Sequence, residues 1–335
     1  MSNEPHISAI MAVRNAEKTL SRAVHSLLAQ SLPPREILLI LNGCSDGSAA
    51  LAQQLARQHS SLRLFESAPA GGVALAAQIG CQAAKYPLLA RMDADDYSHP
   101  QRLEFQFATL QEKDADLVTC QIENQNSLGA GLDRFTSWVN TLLKPEDFRR
   151  ERFIESPVDQ PGVLMTKTAY QKAGGYRVED GPEDYDLWLR MIEKQARFFQ
   201  AIEARLAWHD SSQRLTRSHP DYAESRMAAT KARYLANLDR VQQEGVAIAG
   251  SGPIGRRLAK LLKNEKTTIH GFFDVDPSKI GNTILGLPVY GPHKLGHTFR
   301  RSVLLGCVGR GGREKVRKFA QMKGYEEGLD FFACC

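Results

Sequence analysis

The chain has 335 residues, of which 42% are hydrophobic and 24% are charged. These fractions are ordinary for a soluble globular protein, and the length favours two domains over a single core. The net charge of +5 is spread along the chain, and its short arginine clusters lack interleaved aromatic residues, which argues against nucleic acid as a partner.

Cysteine spacing and hydropathy indicate where the protein works. The six cysteines form no CxxC pair and no cysteine and histidine spacing suited to zinc, which favours a reduced, cytosolic compartment. The first residues lack the basic and apolar regions of a signal peptide, and no apolar run approaches the roughly 20 residues of a membrane span. We therefore expect a cytoplasmic protein that contacts a membrane, at its inner face, only peripherally. A homo-oligomer is compatible with this sequence.

The first hundred residues alternate short apolar runs with helical patterns. Strands are predicted at 7–13, 37–41 and 62–65, and helices around 20–28, 49–59 and 73–84. This alternation predicts an α/β fold with a doubly wound sheet. In such sheets ligands bind outside the carboxyl ends of the strands, where the loop 42–48 and the stretch 93–96 both fall.

Three carboxylates stand within four residues, at Asp93, Asp95 and Asp96, directly after the apolar run 86–90. Like charges this close repel, and each resists leaving water, so the cluster needs water, hydrogen-bond donors or a cation to compensate it. A divalent metal is one such compensator, because Mg²⁺ binds one or two carboxylates together with substrate phosphate oxygens. A solvated acidic turn is the alternative.

The patterns continue beyond this cluster. A helix is predicted at 101–112, a strand at 116–121 and another helix from Pro145. Apolar residues between 135 and 143 recur at helical spacing, which is more typical of core packing than of an aromatic surface that binds a ligand. Gly181 and Pro182 favour a helix start that places Glu183 and Asp184 beside the exposed amides of the first turn. A carboxylate oriented there can act as a general base, and an acidic helix cap is the alternative.

The pattern of strand, turn and helix restarts near residue 245. A long charged helix is predicted at 221–243, then a strand at 245–249, a GxGxxG turn, a helix at 256–263 and a strand at 268–273. The turn contains Gly250, Gly252 and Gly255, and Asp274 lies at the spacing of a ribose-binding carboxylate in a dinucleotide fold. About 90 residues are too few for two mononucleotide halves. A binding, regulatory or assembly module and a purely structural Rossmann domain are the two interpretations.

Five motifs occur in a characteristic order: 7–15 followed by Lys18, the loop 41–48, 90–96 followed by 100–103, then 173–177 and 183–190. Together they resemble family 2 inverting glycosyltransferases of GT-A fold, over roughly residues 5 to 215. The C-terminal part resembles the small Rossmann-like domain appended to some bacterial glycosyltransferases. The predicted organisation is a GT-A nucleotide-diphospho-sugar transferase domain at 1–220, a connecting helix at 221–243 and a Rossmann-like α/β domain at 244–335.

The resemblance implies a nucleotide-sugar donor held by loops that follow the strands. By matched position, these residues should contact the donor: Val13, Asn15, Asn42, Arg91 and Asp93. Asn42 has an alternative role as the turn residue of an Asn-Gly pair. The family usually has a proline and an aromatic residue at Ala12 and Arg14, and often an acid at Leu41, so the base stays unspecified.

The same resemblance implies a divalent metal, Mn or Mg. Asp95 and Asp93 would bind it, with Asp96 as a supporting or alternative ligand. His209 matches a late motif that approaches the metal, and a polar histidine at a strand end is the alternative. Arg214 would pair with diphosphate oxygens through its planar guanidinium.

The resemblance also implies an acid that takes the acceptor's proton. Asp184 would be this general base, and Glu183 would support it. Gln160 occupies a position where relatives often carry a histidine, so any role of that histidine is absent or altered in this chain.

We therefore hypothesise a metal-dependent inverting glycosyltransferase. It would move a sugar from a nucleotide-sugar donor to a hydroxyl of a saccharide or lipid-linked acceptor, in bacterial surface or secondary polysaccharide or glycolipid synthesis. A second hypothesis gives the activity to the C-terminal region, as an NAD(P)-linked oxidoreductase or nucleotide sensor. A third, suggested by the departures at Ala12 and Gln160, is a protein that binds nucleotide sugars without turnover.

Overall fold

A computed structural model describes residues 5–68, 72–178, 181–210, 219–295 and 302–335. The chain divides into two compact units. The first comprises residues 1–148 and 157–218, and the second comprises 149–156 and 219–335. The short segment 149–156, which the sequence analysis assigns to the first domain, thus belongs to the second unit.

The first unit contains eight strands and eight helices among its described residues. The strands are β1 (Ile7–Val13), β2 (Glu36–Asn42), β3 (Leu62–Ser67), β4 (Leu88–Asp93), β5 (Tyr97–Ser98), β6 (Leu117–Gln125), β7 (Leu164–Thr166) and β8 (Phe198–His209). The helices are α1 (Leu20–Leu28), α2 (Ser48–Gln58), α3 (Gly72–Ala83), α4 (Arg102–Glu112), α5 (Ala130–Val139), α6 (Pro145–Glu151), α7 (Lys167–Lys172) and α8 (Glu183–Glu193). Helix α6 ends in the segment that belongs to the second unit.

All eight strands form one sheet in the order β3-β2-β1-β4-β7-β6-β8-β5. The first four are parallel, as predicted, and every residue of β2 is buried because helices cover both faces of this half. Strand β7 runs antiparallel to β4 and β6, so the other half of the sheet is mixed. In the register, Val13 lies beside Leu41 and Ala12 beside Asp93, so the ends of β1, β2 and β4 share one edge.

The second unit contains a smaller, mostly parallel sheet. Its elements are α9 (Glu224–Ala236), α10 (Asp239–Glu244), β9 (Val246–Ala249), α11 (Pro253–Asn264), β10 (Ile269–Phe273), β11 (Thr283–Ile284), β12 (Leu287–Tyr290), β13 (Val303–Gly306), α12 (Arg313–Met322) and β14 (Phe331–Ala333). The order β11-β12-β10-β9-β13-β14 contains five parallel strands with the earliest one in the middle, as in a Rossmann half. The single connecting helix predicted at 221–243 is instead two helices, because Leu238 is extended.

The segment 149–156 is fastened to the second unit by charged side chains. Arg317 Nη2 lies 2.6 Å from Glu151 Oε1, and only 4% of the Glu151 side chain is exposed. Lys231 Nζ donates to the carbonyl of Ile154 at 2.9 Å. Removing one partner of a buried ion pair is costly, so a fragment that begins near residue 240 would lose part of this unit's own structure.

Membrane-spanning character is absent from the described helices: none of them combines the length and the apolar composition needed to cross a bilayer.

Candidate active site

The three carboxylates predicted from the sequence come together at the carboxyl end of β4. One oxygen from each of Asp93, Asp95 and Asp96 lies within 4.8 Å of the others. Asp96 is fully buried, and its Oδ1 accepts the backbone N–H of His209, at the end of β8, at 2.9 Å. Arg22 Nη2 donates to the backbone carbonyl of Asp95 at 2.7 Å. These contacts hold the loop 93–96 in a defined conformation rather than leaving it as a solvated turn.

Two buried guanidinium groups lie beneath the cluster. Arg91 is completely buried, donates from Nη1 to the carbonyl of Ile10 at 3.0 Å, and places Nη2 3.8 Å from Asp93 Oδ1. Arg102 is also completely buried, and its Nη1 donates to the carbonyls of Pro161 at 2.8 Å and Arg91 at 3.3 Å. Their positive charges offset the repulsion among the carboxylates. The contacts of the Arg91 side chain are made inside the protein, while donor binding by this residue stays a prediction.

The donor atoms at the cluster fit a divalent cation. Carboxylate oxygens are the ligands that Mg²⁺ and Mn²⁺ prefer. The backbone N–H of His209 contacts Asp96, its ring Nδ1 is buried without a hydrogen-bond partner among the described residues, and metal binding by this ring stays a prediction. A buried polar atom without a partner is costly, and coordination would satisfy it.

The donor-binding residues predicted near β1 and β2 fall into two groups. Asn42, at the end of β2, is 3% exposed, and its Oδ1 finds no hydrogen-bond donor among the described residues. Asn15 adopts a positive φ of 50°, and its Oδ1 accepts the backbone N–H of Ser45 at 2.8 Å. Val13 is buried in β1. Asn42 therefore offers an acceptor to a ligand, whereas the Asn15 side chain ties the two loops together.

The predicted acid pair begins helix α8. Glu183 is 5% exposed, and the half-buried Asp184 accepts the backbone N–H of Tyr185 on Oδ1 at 2.7 Å. Burial raises the pKa of Asp184, and the charges of Glu183 and then Asp93 raise it further. The two acids therefore resist being ionised together, and Asp184 becomes a stronger base than an ordinary aspartate.

Helix α8 is held by the motif that precedes it. Arg190 pairs with Asp186 at 2.7 Å and donates to the carbonyls of Ala173 and, at 2.7 Å, Gly175. Gly175 has a φ of 64°, which favours glycine, and a Cβ there would lie 2.8 Å from the ring of Tyr170. These contacts explain why the Gly-Gly-Tyr and Glu-Asp motifs occur together, and they fix the orientation of the acid pair.

Two family models match the chain, one in each unit. Residues 8–173 match the family described as glycosyl transferase family 2. This region belongs to glycosyltransferase family 2. Residues 241–325 match the family described as CoA binding domain, in agreement with the predicted Rossmann-like fold.

Named relatives align with the transferase region. A Bacillus subtilis protein whose name marks it as the glycosyltransferase EpsE is 29% identical over 220 residues, which cover 61% of this chain and 73% of that protein. The O-antigen biosynthesis glycosyltransferase WbnJ of Escherichia coli is 28% identical over 195 residues, covering 56% and 72%. An E. coli UDP-Gal:α-D-GlcNAc-diphosphoundecaprenol β-1,3-galactosyltransferase is 25% identical over 194 residues, covering 56% and 68%.

A solved structure supports the fold assignment. The crystal structure of S. aureus TarS 1-349 in complex with UDP-GlcNAc matches with a TM-score of 0.59 at 16% sequence identity, and covers 77% of this chain and 71% of that one. The GT-A fold predicted for the transferase domain is therefore confirmed. The predicted diphosphate contact Arg214, in the segment 211–218, lies outside the described residues.

Asp159 is a buried acid of the transferase domain that the sequence analysis did not identify. It is 2% exposed, and neither carboxylate oxygen accepts a hydrogen bond of normal geometry from the described residues. A Cβ at Gly162 would lie 2.1 Å from Asp159 Oδ2, so glycine leaves room for this carboxyl. Burial raises the pKa of Asp159 to about 8, and the nearby Arg102 charge only partly offsets it. A lone acid within the apolar stretch 157–163 is the sequence signal that points to it.

We expect Asp159→Asn to stabilise the transferase domain increasingly as the pH rises from 5 to 8. The folded domain keeps the carboxyl protonated up to about pH 8, whereas the unfolded chain releases the proton near 3.8. The wild type therefore loses stability over this window, by at most about 1.4 kcal/mol per pH unit. The side chain of asparagine cannot ionise, so the variant does not lose this stability as the pH rises. Urea denaturation at pH 5 and pH 8 measures the difference, with the exposed Asp114→Asn as control. A gain of equal size at both pH values would contradict the prediction.

The glycine-rich turn of the second unit contains one open position. Gly250 has a φ of 111°, and a Cβ there would lie 2.3 Å from the carbonyl oxygen of Cys307. A Cβ at Gly255 would lie 1.9 Å from the carbonyl oxygen of Gly250, whereas one at Gly252 would meet nothing within 4 Å. The first and third glycines therefore serve packing, and the second leaves space in front of helix α11.

Asp274 lies where the spacing predicts, at the end of β10, and its carboxylate accepts hydrogen bonds from the protein itself. Ser251 donates to Asp274 Oδ2 from its backbone N–H at 3.0 Å and from Oγ at 2.5 Å, and the backbone N–H of Asp276 donates to Oδ1 at 3.0 Å. Burial alone would raise its pKa, but the hydrogen bonds from Ser251 and Asp276 and the charge of Lys279 outweigh it and lower the pKa to about 2. Asp274 thus fastens the glycine-rich turn, and ribose binding by this residue stays a prediction.

Proposed function

We propose that the protein transfers a sugar from a nucleotide-sugar donor to a hydroxyl of a saccharide or lipid-linked acceptor, with inversion at the anomeric carbon and with help from a divalent metal. The observation that supports the proposal is that two groups of acidic residues lie close enough to interact electrostatically. Asp93, Asp95 and Asp96 form the first, and the Asp93 charge contributes to the raised pKa of Asp184 in the second. The relatives named for O-antigen and for diphosphoundecaprenol-linked sugars favour a role in surface polysaccharide or glycolipid synthesis.

The donor would lie along the edge formed by β1, β2 and β4. The buried Oδ1 of Asn42 needs an N–H donor, and the ring N–H of a uracil base would supply one. Asp93 and Asp95 would hold the metal beside the diphosphate, with Asp96 and His209 completing or supporting the set. A divalent metal at this position neutralises charge that develops on the departing diphosphate.

The acceptor hydroxyl would approach from the side of helix α8. Ionised Asp184 would accept its proton while the oxygen attacks the anomeric carbon from the face opposite the nucleotide. A single displacement of this kind inverts the configuration. A base works best when its pKa lies near the working pH, and the raised pKa of Asp184 suits this task.

The second unit would bind a nucleotide or dinucleotide as a regulatory or assembly module. Two observations favour this over a purely structural domain: the space in front of Gly252 and the match to the CoA binding domain family. An oxidoreductase activity gains no comparable support, because the carboxylate of Asp274, the predicted ribose-binding residue, accepts hydrogen bonds from Ser251 and Asp276.

A thermal-shift screen of the full-length protein tests the proposal. We expect UDP-sugars to raise the unfolding temperature by a few degrees when Mn²⁺ is present and much less after chelation, because a ligand at 100 times its Kd adds about 2.7 kcal/mol. CoA and NAD in parallel samples probe the second unit independently of the metal. Turnover of the stabilising donor, followed by release of its nucleoside diphosphate, separates an enzyme from a binder. Stabilisation by no nucleotide sugar, with no turnover, would refute the proposal.

A further inference from the structure

Gln160 connects the two acid sites of the transferase domain. Its side chain is largely buried in the short turn Gln160–Gly162. The amide Nε2 donates to Glu183 Oε1 at 3.1 Å and to the hydroxyl of Tyr176 at 3.4 Å. On its other side, Oε1 accepts from Arg91 Nη2 at 3.4 Å, and the same Nη2 lies 3.8 Å from Asp93 Oδ1. A continuous polar chain therefore runs from Asp93 through Arg91 and Gln160 to Glu183.

The polarity of this chain is fixed by Arg91. A guanidinium can only donate, so it faces the amide oxygen and leaves the amide N–H₂ to face Glu183. An N–H donor stabilises a carboxylate more than it stabilises the neutral acid. Glu183 is 5% exposed, and burial by itself disfavours an ionised carboxylate. The N–H donor of Gln160 therefore acts against burial and favours the ionised form of Glu183.

The charge on Glu183 determines the base strength of its neighbour. Asp93 also acts on Asp184 and raises its pKa. Arg91 and Tyr176, on other elements, interact electrostatically with Glu183. If Glu183 took up the proton instead, Asp184 would lose a neighbouring negative charge and become a weaker base.

We propose that Gln160 is a positioning residue that keeps Glu183 ionised, so that a proton taken up by the acid pair binds at Asp184, which is a strong general base whenever it is ionised. This inference rests on the transferase activity proposed above. It also gives the glutamine a function at the position where relatives often carry a histidine.

The test compares Gln160→Met with the wild type in pH profiles of kcat and KM. The methionine keeps the volume and removes the donor, so the acidic limb of kcat should move to lower pH by about one unit. The plateau of kcat should fall several-fold, and the KM for the donor should stay unchanged. Gln160→His, which restores an N–H donor, should return the limb towards its wild-type position. If kcat falls but the acidic limb of its pH profile stays at the wild-type pH, the proposal is wrong and the role of Gln160 is structural.

Gln106→Leu is the matched control. Gln106 is also buried and donates from Nε2 to the carbonyls of Val118 and Gly162, each at 2.8 Å, and none of its hydrogen bonds is to the acid pair. Its loss should lower the unfolding temperature and leave the acidic limb in place. A limb that moves equally in this variant would show that any loss of packing shifts it, which would also overturn the proposal.

A double-mutant cycle measures the interaction between Gln160 and Glu183 from protein stability, without any need for catalysis. Gln160→Met should destabilise the wild type more than it destabilises a Glu183→Gln background, because the amide donor stabilises an ionised carboxylate at position 183 and the glutamine cannot ionise. If the protein transfers no sugar but residues 160 and 183 still show an interaction energy, only the proposed function is refuted. If the enzyme is active but the two residues show no interaction energy, only the role of Gln160 is refuted.

Discussion

Replacing Asp184 with asparagine is expected to lower kcat by about 10²- to 10⁴-fold, the usual contribution of a positioned general base. Asparagine keeps the shape of the side chain and its place in the first turn of α8, but it cannot take up a proton. The wild-type kcat should rise with pH through the raised pKa of Asp184, because only the ionised form accepts the proton. The residual activity of the variant should lack this limb. Initial rates of nucleotide release between pH 5 and pH 9 measure both effects.

The control for this variant addresses the alternative of an acidic helix cap. Asp239 stands in the first turn of α10, where an acid also stabilises a helix N-terminus by about 0.3 to 1 kcal/mol. Asp184→Asn and Asp239→Asn should therefore differ little in unfolding temperature, while only the first loses activity. A kcat within two-fold of the wild type in Asp184→Asn would remove this residue from the mechanism.

The sequence predicted the elements of the first unit well wherever burial is expressed as a periodic pattern. Strand β2 appeared as a continuous apolar run because it is covered on both faces, and it extends from Glu36 to Asn42. Helix α8 begins one residue later than the proline predicted for its first position, since Pro182 is the N-cap. Differences of this size arise because helix ends depend on local hydrogen bonds rather than on periodicity.

The periodicity of apolar residues predicted the end of helix α5 wrongly. Apolar residues recur at helical spacing up to Leu143, yet α5 ends at Val139. Leu142 is nevertheless 1% exposed, because it packs into the core from the loop that follows. Helical spacing therefore identified Val139 and Leu142 correctly as core residues, but it was wrong for Leu143, which is 40% exposed, and for the extent of the helix.

Contacts between distant residues could not be read from the sequence. Nothing local indicates that Arg91 and Arg102 are both buried beneath the acid cluster, since arginine is usually exposed. The same holds for the segment 149–156, which the sequence analysis assigns to the first domain and which instead belongs to the second unit, where Glu151 pairs with Arg317. Such arrangements depend on tertiary partners that lie tens of residues away in the chain.

Replacing Asp95 with asparagine should abolish metal-dependent transfer and leave the fold intact. Asp95 is half-buried, and removing one of three adjacent negative charges relieves repulsion in the metal-free protein. We therefore expect its unfolding temperature without metal to equal or exceed that of the wild type. The kcat should fall by at least about 100-fold, because charge neutralisation of a leaving group by a metal contributes several kcal/mol. The signal of free Mn²⁺ in electron paramagnetic resonance measures binding, and Mn²⁺ should no longer be taken up at concentrations that saturate the wild type.

Two further variants distinguish a ligand from a structural acid. Asp96→Asn should lower both activity and stability, because Asp96 is buried and its Oδ1 accepts the backbone N–H of His209. Glu112→Gln removes an exposed acid paired with Lys113 on α4 and should change neither manganese uptake nor kcat. Normal manganese uptake by Asp95→Asn would assign the metal to Asp93 and Asp96 instead. Asp96 is fixed to the end of β8 through the backbone N–H of His209, so its replacement also disturbs the structure, and the pair of variants separates that structural effect from the loss of a metal ligand.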